Sequence, residues 1–171
     1  MPVTVLETDR LTIRELTPDD AAFIFELVND PDWLRYIGDR NVRSLDDASG
    51  YIAKGPTEMY SRFGFGLWRV ALKSDDTPIG MCGLLKRETM EDVDIGFAFL
   101  PAFRANGYGR EAATATLALG CTKFGLRRIV ATTAMDNDAS GRLLEKLGFR
   151  FERNFKPGNE DREVKLFGIQ F

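Results

Sequence analysis

The sequence predicts an α+β fold: one mixed, mostly antiparallel sheet of about seven strands, carrying four helices. Three observations lead there. Short runs rich in β-branched and aromatic residues, bounded by turn residues, recur along the 171-residue chain. Three of them follow one another across links of only a few residues, which suits antiparallel pairing. One long alanine-rich helical stretch then precedes the next strand, as a crossover to a parallel neighbour requires.

The elements follow in order. In "LETDRLTIREL", Leu11 and Ile13 alternate with polar residues and mark a first strand. "TPDDAAFIFELVND" predicts a first helix, capped by Thr17 or Asp19, with Pro18 in its first turn and Ala22, Phe23 and Leu27 on one face. "PDWLRYIGDR" is aromatic and charged and reads as irregular. "SLDDASGYIAKGPTEMYSR" predicts a second helix, loosened at Gly55-Pro56. "GFGLWRVALK" and "PIGMCGLLKR" are strands joined by the turn "SDDT", and "ETME" leads into a third strand, "DVDIGFAFL". A helix from about Arg110 to Phe124 places Leu117, Cys121 and Phe124 on one stripe, with Ala113 and Ala115 small enough for close approach to a sheet. "RRIVATTAM" is β-branched. "DASGRLLEKLGF" is a short helix closed by Gly148, and "FRFERNF" and "REVKLFGIQF" are two last strands.

Composition narrows the chemistry. The chain contains no histidine and two cysteines, Cys82 and Cys121, far apart and inside apolar segments. Histidine-dependent hydrolysis is excluded, and no metal site is expected. Unpaired thiols point to a reducing, cytoplasmic setting. No window is apolar enough to span a membrane, and no secretory signal opens the chain. Neither membrane nor nucleic acid is an expected partner. The net charge of −3 is uneven: −5 over residues 1–62, −2 over 63–100 and +4 over 101–171. Two ligands of opposite charge would suit this asymmetry, as would simple scatter.

The segment "RANGYGR", Arg104 to Arg110, stands before the alanine-rich helix. A helix N-terminus exposes unpaired N–H groups, and Gly107 and Gly109 let an anion approach the backbone. With Arg104 and Arg110 beside them, these residues suit a pyrophosphate cradle; a plain strand-to-helix turn is the alternative. The P-loop pattern is absent, because no lysine follows the glycines. Gly107, Gly109 and Ala112 match the dinucleotide spacing, but Pro101 and "AFRAN" separate them from the preceding strand.

Here the sequence resembles a known family. Arg104-Ala105-Asn106-Gly107-Tyr108-Gly109 matches the Arg/Gln-x-x-Gly-x-Gly/Ala signature of the GNAT superfamily of acetyl-CoA-dependent N-acetyltransferases. "TDRLTIREL", "DIGFAFLP" and "NDASGRLLEKLGF" resemble its RimJ/RimL-type branch, in the same order along the chain. The resemblance implies a GNAT-like sheet with a splayed fourth and fifth strand and one acyltransferase domain over residues 1–171. It implies acetyl-CoA as cosubstrate, with its pyrophosphate on the amides of Ala105 through Arg110. A bulge in the fourth strand would free backbone groups of Ala98, Phe99 and Leu100 for the pantetheine arm. Asn137 would contact that arm, and Ser140 would donate to the leaving sulfur, because Leu144 stands where relatives carry a tyrosine. Asp94 falls where many relatives place a basic glutamate, with Glu91 and Glu88 as weaker candidates. Trp33 and Tyr36, near Asp30, Asp32 and Asp39, would face an acceptor amine, either a peptide N-terminus or a small molecule. The protein would be a monomer or homodimer. A non-catalytic acyl-CoA-binding domain and a nicotinamide-binding oxidoreductase remain alternatives at this point.

Overall fold

A computed structural model describes residues 2–158 and 160–171. The chain opens with a hairpin, β1 (Thr4–Glu7) and β2 (Leu11–Arg14), where the sequence predicts a single strand. The turn is tied by Thr8, whose amide donates to the Leu11 carbonyl and whose hydroxyl accepts from the Leu11 amide. Helix α1 (Ala21–Val28) buries Phe23, Ile24, Leu27 and Val28, while Ala22, expected on that face, is exposed. Helix α2 (Pro31–Tyr36) forms where irregular chain was expected. Asp30 caps it by accepting from the Asp32 amide, and Pro31 supplies a first-turn φ without needing an acceptor. The predicted second helix is divided into α3 (Leu45–Ile52), a π-helical turn around Pro56 (Ala53–Thr57) and α4 (Glu58–Phe63). Proline cannot donate to the ladder, so the backbone widens there instead of breaking.

Strands β3 (Leu67–Leu72), β4 (Pro78–Leu85) and β5 (Asp94–Phe99) form the antiparallel meander. Helix α5 (Tyr108–Thr122) crosses back over the sheet and delivers β6 (Arg128–Ala134) parallel to β5. Helix α6 (Asp138–Lys146) ends in a Schellman closure: Phe149 N–H donates to Leu144 C=O, Gly148 N–H to Glu145 C=O, and Gly148 has φ +102°. Strands β7 (Arg150–Phe155) and β8 (Val164–Gln170) complete one eight-stranded sheet of order β1-β2-β3-β4-β5-β6-β8-β7.

Two apolar layers cover the sheet. One, under α5 and α6, contains Trp68, Val70, Leu84, Ile95, Leu117, Ile129 and Leu144. The other, under α1 to α3, contains Ile24, Leu27, Trp33, Ile52 and Met81. In α5 the buried residues are Ala112, Ala113, Thr116, Leu117 and Gly120, so the sheet-facing stripe passes through Gly120 and not through the half-buried Cys121. A Cβ at Gly120 would stand 3.0 Å from Ile129, so the missing side chain is what lets the helix sit this close.

Candidate active site

The sheet consists of two halves joined at one point. Strand β5 pairs with β4 along its whole length, from Asp94–Leu85 to Phe99–Gly80. Strand β6 pairs with β8 along its whole length, from Arg128–Gln170 to Ala134–Val164. Between β5 and β6 there is one register pair, Asp94–Val130, beside the bond from Val130 N–H to Val93 C=O. Beyond it the strands part. The predicted splay is therefore present, one strand later in the numbering because the first strand is a hairpin. The expected bulge is not: the β4–β5 register is regular from Asp94 to Phe99. Each half keeps its own full ladder up to the gap.

The free edge of β5 differs from the sequence-based expectation. Leu100 N–H is not free, since it donates to Ile79 C=O at 2.8 Å. By strand alternation, Ala98 also turns its backbone polar groups toward β4. The groups facing the gap belong instead to Ile95, Phe97 and Phe99. Arg104 Nε takes the Phe99 carbonyl at 3.0 Å, which confirms the direction for that residue. Phe97, which sequence reading missed, thus offers an N–H and a C=O to the opening.

Two clefts of about 520 and 500 Å³ open at this gap. Both are lined by Trp33, Tyr36, Phe97, Ala98, Thr133 and Ser140, so they meet through the splay. The first cleft reaches Arg104, Asn137 and Arg142, near the N-terminal end of α6. The second lies over Asp94 and reaches Tyr51, Arg87 and Arg162. Three buried polar atoms around the clefts lack any hydrogen-bond partner among the described residues: Trp33 Nε1 and Thr133 Oγ1, which border both, and Asp94 Oδ1, which borders the second. Such atoms are costly unless something else satisfies them.

The glycine segment forms a shaped turn into α5. Ala105 and Gly107 both have positive φ, +61° and +81°. Gly107 is the N-cap residue and provides no side-chain acceptor. The amides of residues 105–110 make no hydrogen bond to another described residue, so the positive end of a 15-residue helix is presented bare. The turn is fixed from outside. Arg10 Nη1 donates to Asn106 C=O at 3.0 Å, and its guanidinium lies 4.3 Å from the Tyr108 ring centre. Glu111 accepts from the Thr8 hydroxyl, the Arg10 amide and Arg10 Nε, and these bonds hold its carboxyl below the ordinary range despite partial burial. No local pattern announces this clamp, because its halves lie 101 positions apart. Arg104, expected to add charge to the cradle, is instead bound to Asp30 and Asp32, both at 2.6 Å. Arg110 is exposed beside the turn.

Asp94 is 1% exposed. Burial pushes its carboxyl up to about 6, against the opposing pull of Arg87. Arg87 Nε stands 3.3 Å from Oδ1, close enough for an ion pair but outside hydrogen-bond geometry. Asp94, Gly96 and Ala98 share a strand face, as the alternation predicts. Glu88 and Glu91 are exposed, and neither lines the clefts. Asn137 is the N-cap of α6: its Oδ1 accepts from Ser140 N–H at 3.3 Å, which leaves its amide nitrogen available to the first cleft. Trp33 is buried in the second apolar layer and also borders both clefts, so packing and lining coincide in one side chain. Among the described residues there is no group of three side chains fit to hold a metal ion, and no helix long and apolar enough to cross a membrane.

Residues 10–150 match the acetyltransferase (GNAT) domain family. The uncharacterized N-acetyltransferase YoaA of Bacillus subtilis (strain 168) is 32% identical over 149 residues, covering 86% of this chain and 84% of that protein. The crystal structure of a GNAT-family acetyltransferase from Bacillus anthracis is 28% identical, covers 99% of this chain and 98% of that one, and superposes with a TM-score of 0.78. The spermidine N-acetyltransferase of Vibrio cholerae, solved with CoA and spermine, shares the fold at a TM-score of 0.77 and 21% identity, over 95% of this chain and 96% of that one.

Proposed function

The chain belongs to the GNAT acetyltransferase family, and from that premise we propose that it moves an acetyl group from acetyl-CoA to a primary amine, directly, within a ternary complex. The observation that carries this reading is the meeting of two clefts through the β5–β6 gap. Arg104, which adjoins the bare helix amides, lines one cleft, and a buried carboxylate lines the other.

The bound thioester would supply an activated acetyl group; the rest falls to this chain. The amides of Ala105, Asn106, Gly107, Tyr108, Gly109 and Arg110 would hold a diphosphate, and Gly107 keeps side-chain bulk off that surface. Phe97, with Phe99, would pair with an extended arm as an added strand does. The Asn137 amide would donate to the same arm. An amide on the β5 edge would stabilise negative charge on the acetyl oxygen. Ser140, bordering both clefts, would donate to the departing sulfur. Asp94 would take the proton from the acceptor ammonium, directly or through one water. With its carboxyl near 6 it is mostly ionised at neutral pH yet more basic than an exposed aspartate. Trp33 and Tyr36 would flank the acceptor.

We place the chain near the RimJ/RimL-type branch on its motifs, as one acyltransferase domain over residues 1–171, monomeric or dimeric, in the cytosol where its two free thiols stay reduced. The acceptor is a peptide N-terminus or a small amine. A non-catalytic acyl-CoA-binding role is the second reading, favoured by Leu144 in the place of a proton-donating tyrosine. Thiol release from acetyl-CoA across an amine and peptide panel decides between them. Turnover supports transfer; tight CoA binding without turnover supports the second reading.

A further inference from the structure

The charge of the second cleft bears on its acceptor. Carboxylates near Trp33 and Tyr36 would suit a cationic amine, but these are already committed. Asp30 and Asp32 hold Arg104, Asp39 holds Arg43 at 2.5 Å, and Asp136 holds Arg35 at 3.0 Å. What lines the second cleft instead is three guanidiniums, Arg40, Arg87 and Arg162, against the carboxylates of Asp94 and Glu160.

Their partners differ. Arg87 is paired with Asp94. Arg162 is held by neutral groups, the carbonyls of Tyr36 at 2.6 Å and of Arg35 and Ile37 at 3.4 Å, at the C-terminal end of α2. Those bonds fix its position, and the carboxylate that feels its charge, Asp136, is already paired with Arg35. Arg40 has no carboxylate within ion-pair distance among the described residues, and Glu160 lies exposed. Burial raises the Tyr51 hydroxyl, opposed by the charges of Arg40 and Arg87, so both guanidiniums bear on the same wall.

Resting on the acetyl-transfer reading above, the geometry points to an acceptor that is a small amine carrying its own anionic oxygen group, a carboxylate or a phosphate. Arg162 and Arg40 bind that group, and the amine faces Asp94. Arginine suits this task, because its planar fork meets both anions with paired bonds. The same positive field disfavours an ammonium and so releases the neutral amine that must attack. A polycation would meet repulsion in this cleft.

The test uses matched acceptors on the full-length protein with acetyl-CoA, following thiol release. The pairs are β-alanine and its amide, and ethanolamine phosphate and ethanolamine, with spermidine as the polycation. The expected result is a kcat/KM about 10- to 100-fold higher for the anionic member of one pair, which also tells carboxylate from phosphate. Arg162→Gln and Arg40→Gln should each collapse that preference by raising KM for the anionic member. Arg162 also anchors α2, so Arg40→Gln, on an exposed loop, keeps the test open if the first variant unfolds. Equal or better turnover of the neutral member in both pairs, or better turnover of spermidine than of either anionic amine, overturns the inference. If no amine releases thiol, the transfer reading falls by itself. Calorimetric binding of the same pairs to the CoA-loaded protein then decides this one, and no preference for the anionic member overturns it.

Discussion

Replacing Asp94 by asparagine removes a charge that the fold holds at a cost. The Asp94 carboxyl moves from an ordinary 3.8 to about 6, chiefly because burial strips its water. At about 1.4 kcal/mol per unit, the ionised form destabilises the free protein by about 3 kcal/mol above pH 6. The sign follows from which state binds the proton. As pH rises through 4, the unfolded chain releases it first while the folded chain retains it, so stability falls between about 4 and 6 and stays lower above. Below 4 both states are protonated and the cost vanishes. Asparagine never ionises. Leaving its amide incompletely paired returns about 1 kcal/mol of the gain. Asp94→Asn should therefore be more stable than wild type by about 2 kcal/mol at pH 7.5, or about 4 to 8 °C in Tm for a chain of this size. The gap should close at about pH 4.5 and reverse below it, where only the asparagine's cost of about 1 kcal/mol remains. Turnover should fall by about 10²- to 10⁴-fold with CoA affinity unchanged, and the wild-type kcat/KM should lose activity below about pH 6. Melting curves from pH 4 to 8 and steady-state kinetics measure both halves. A variant no more stable at pH 7.5, or a Tm gap that ignores pH, refutes the desolvation argument. Unchanged turnover removes Asp94 from the chemistry.

Gly107→Ala should weaken CoA binding about tenfold by calorimetry, since φ is +81° and a Cβ would stand 3.3 Å from Arg10; a left-handed non-glycine residue costs about 1–2 kcal/mol. Gly109→Ala should cost less in stability, because its Cβ would make ordinary contacts of 3.4 to 3.5 Å with Leu143 and Phe99. Glu111→Ala frees Thr8 and Arg10 from the glycine turn, and should raise the CoA Kd several-fold with only about 1 kcal/mol of lost stability, the site being partly exposed. Ser140→Ala should lower kcat about 10- to 100-fold with little change in acetyl-CoA KM, as loss of a hydrogen bond made mainly as the sulfur departs would do.

Much of the architecture was legible because it rests on local pattern. The meander shows as three strand-like runs with short links, and the crossover as an alanine-rich helix behind two glycines. The misreadings have particular causes. Six residues from Pro31 to Tyr36 make less than two turns, too short for a helical period to emerge, and only the Asp30-Pro31 cap announces them. The β1–β2 turn carries no glycine, so it read as continuous strand. Alternation along β5 identified the face carrying Asp94. It could not say which backbone groups were already used by β4, and the assignment of Leu100 to the free edge failed on that point. Arg162 meets Ile37 across 125 positions, and Arg104 meets Asp30 across 74; no local pattern of charges announces either pairing.

The account depends most on the bare amides at the start of α5 and on the open edge of β5. An amide-resolved NMR titration with CoA reads both at once. The largest changes, with slowed hydrogen exchange, should fall on residues 105–110 and on Phe97, while the Leu100 amide, already bonded to Ile79, keeps its exchange rate. Saturable CoA binding that leaves residues 105–110 unmoved and shifts a different set of amides would contradict it.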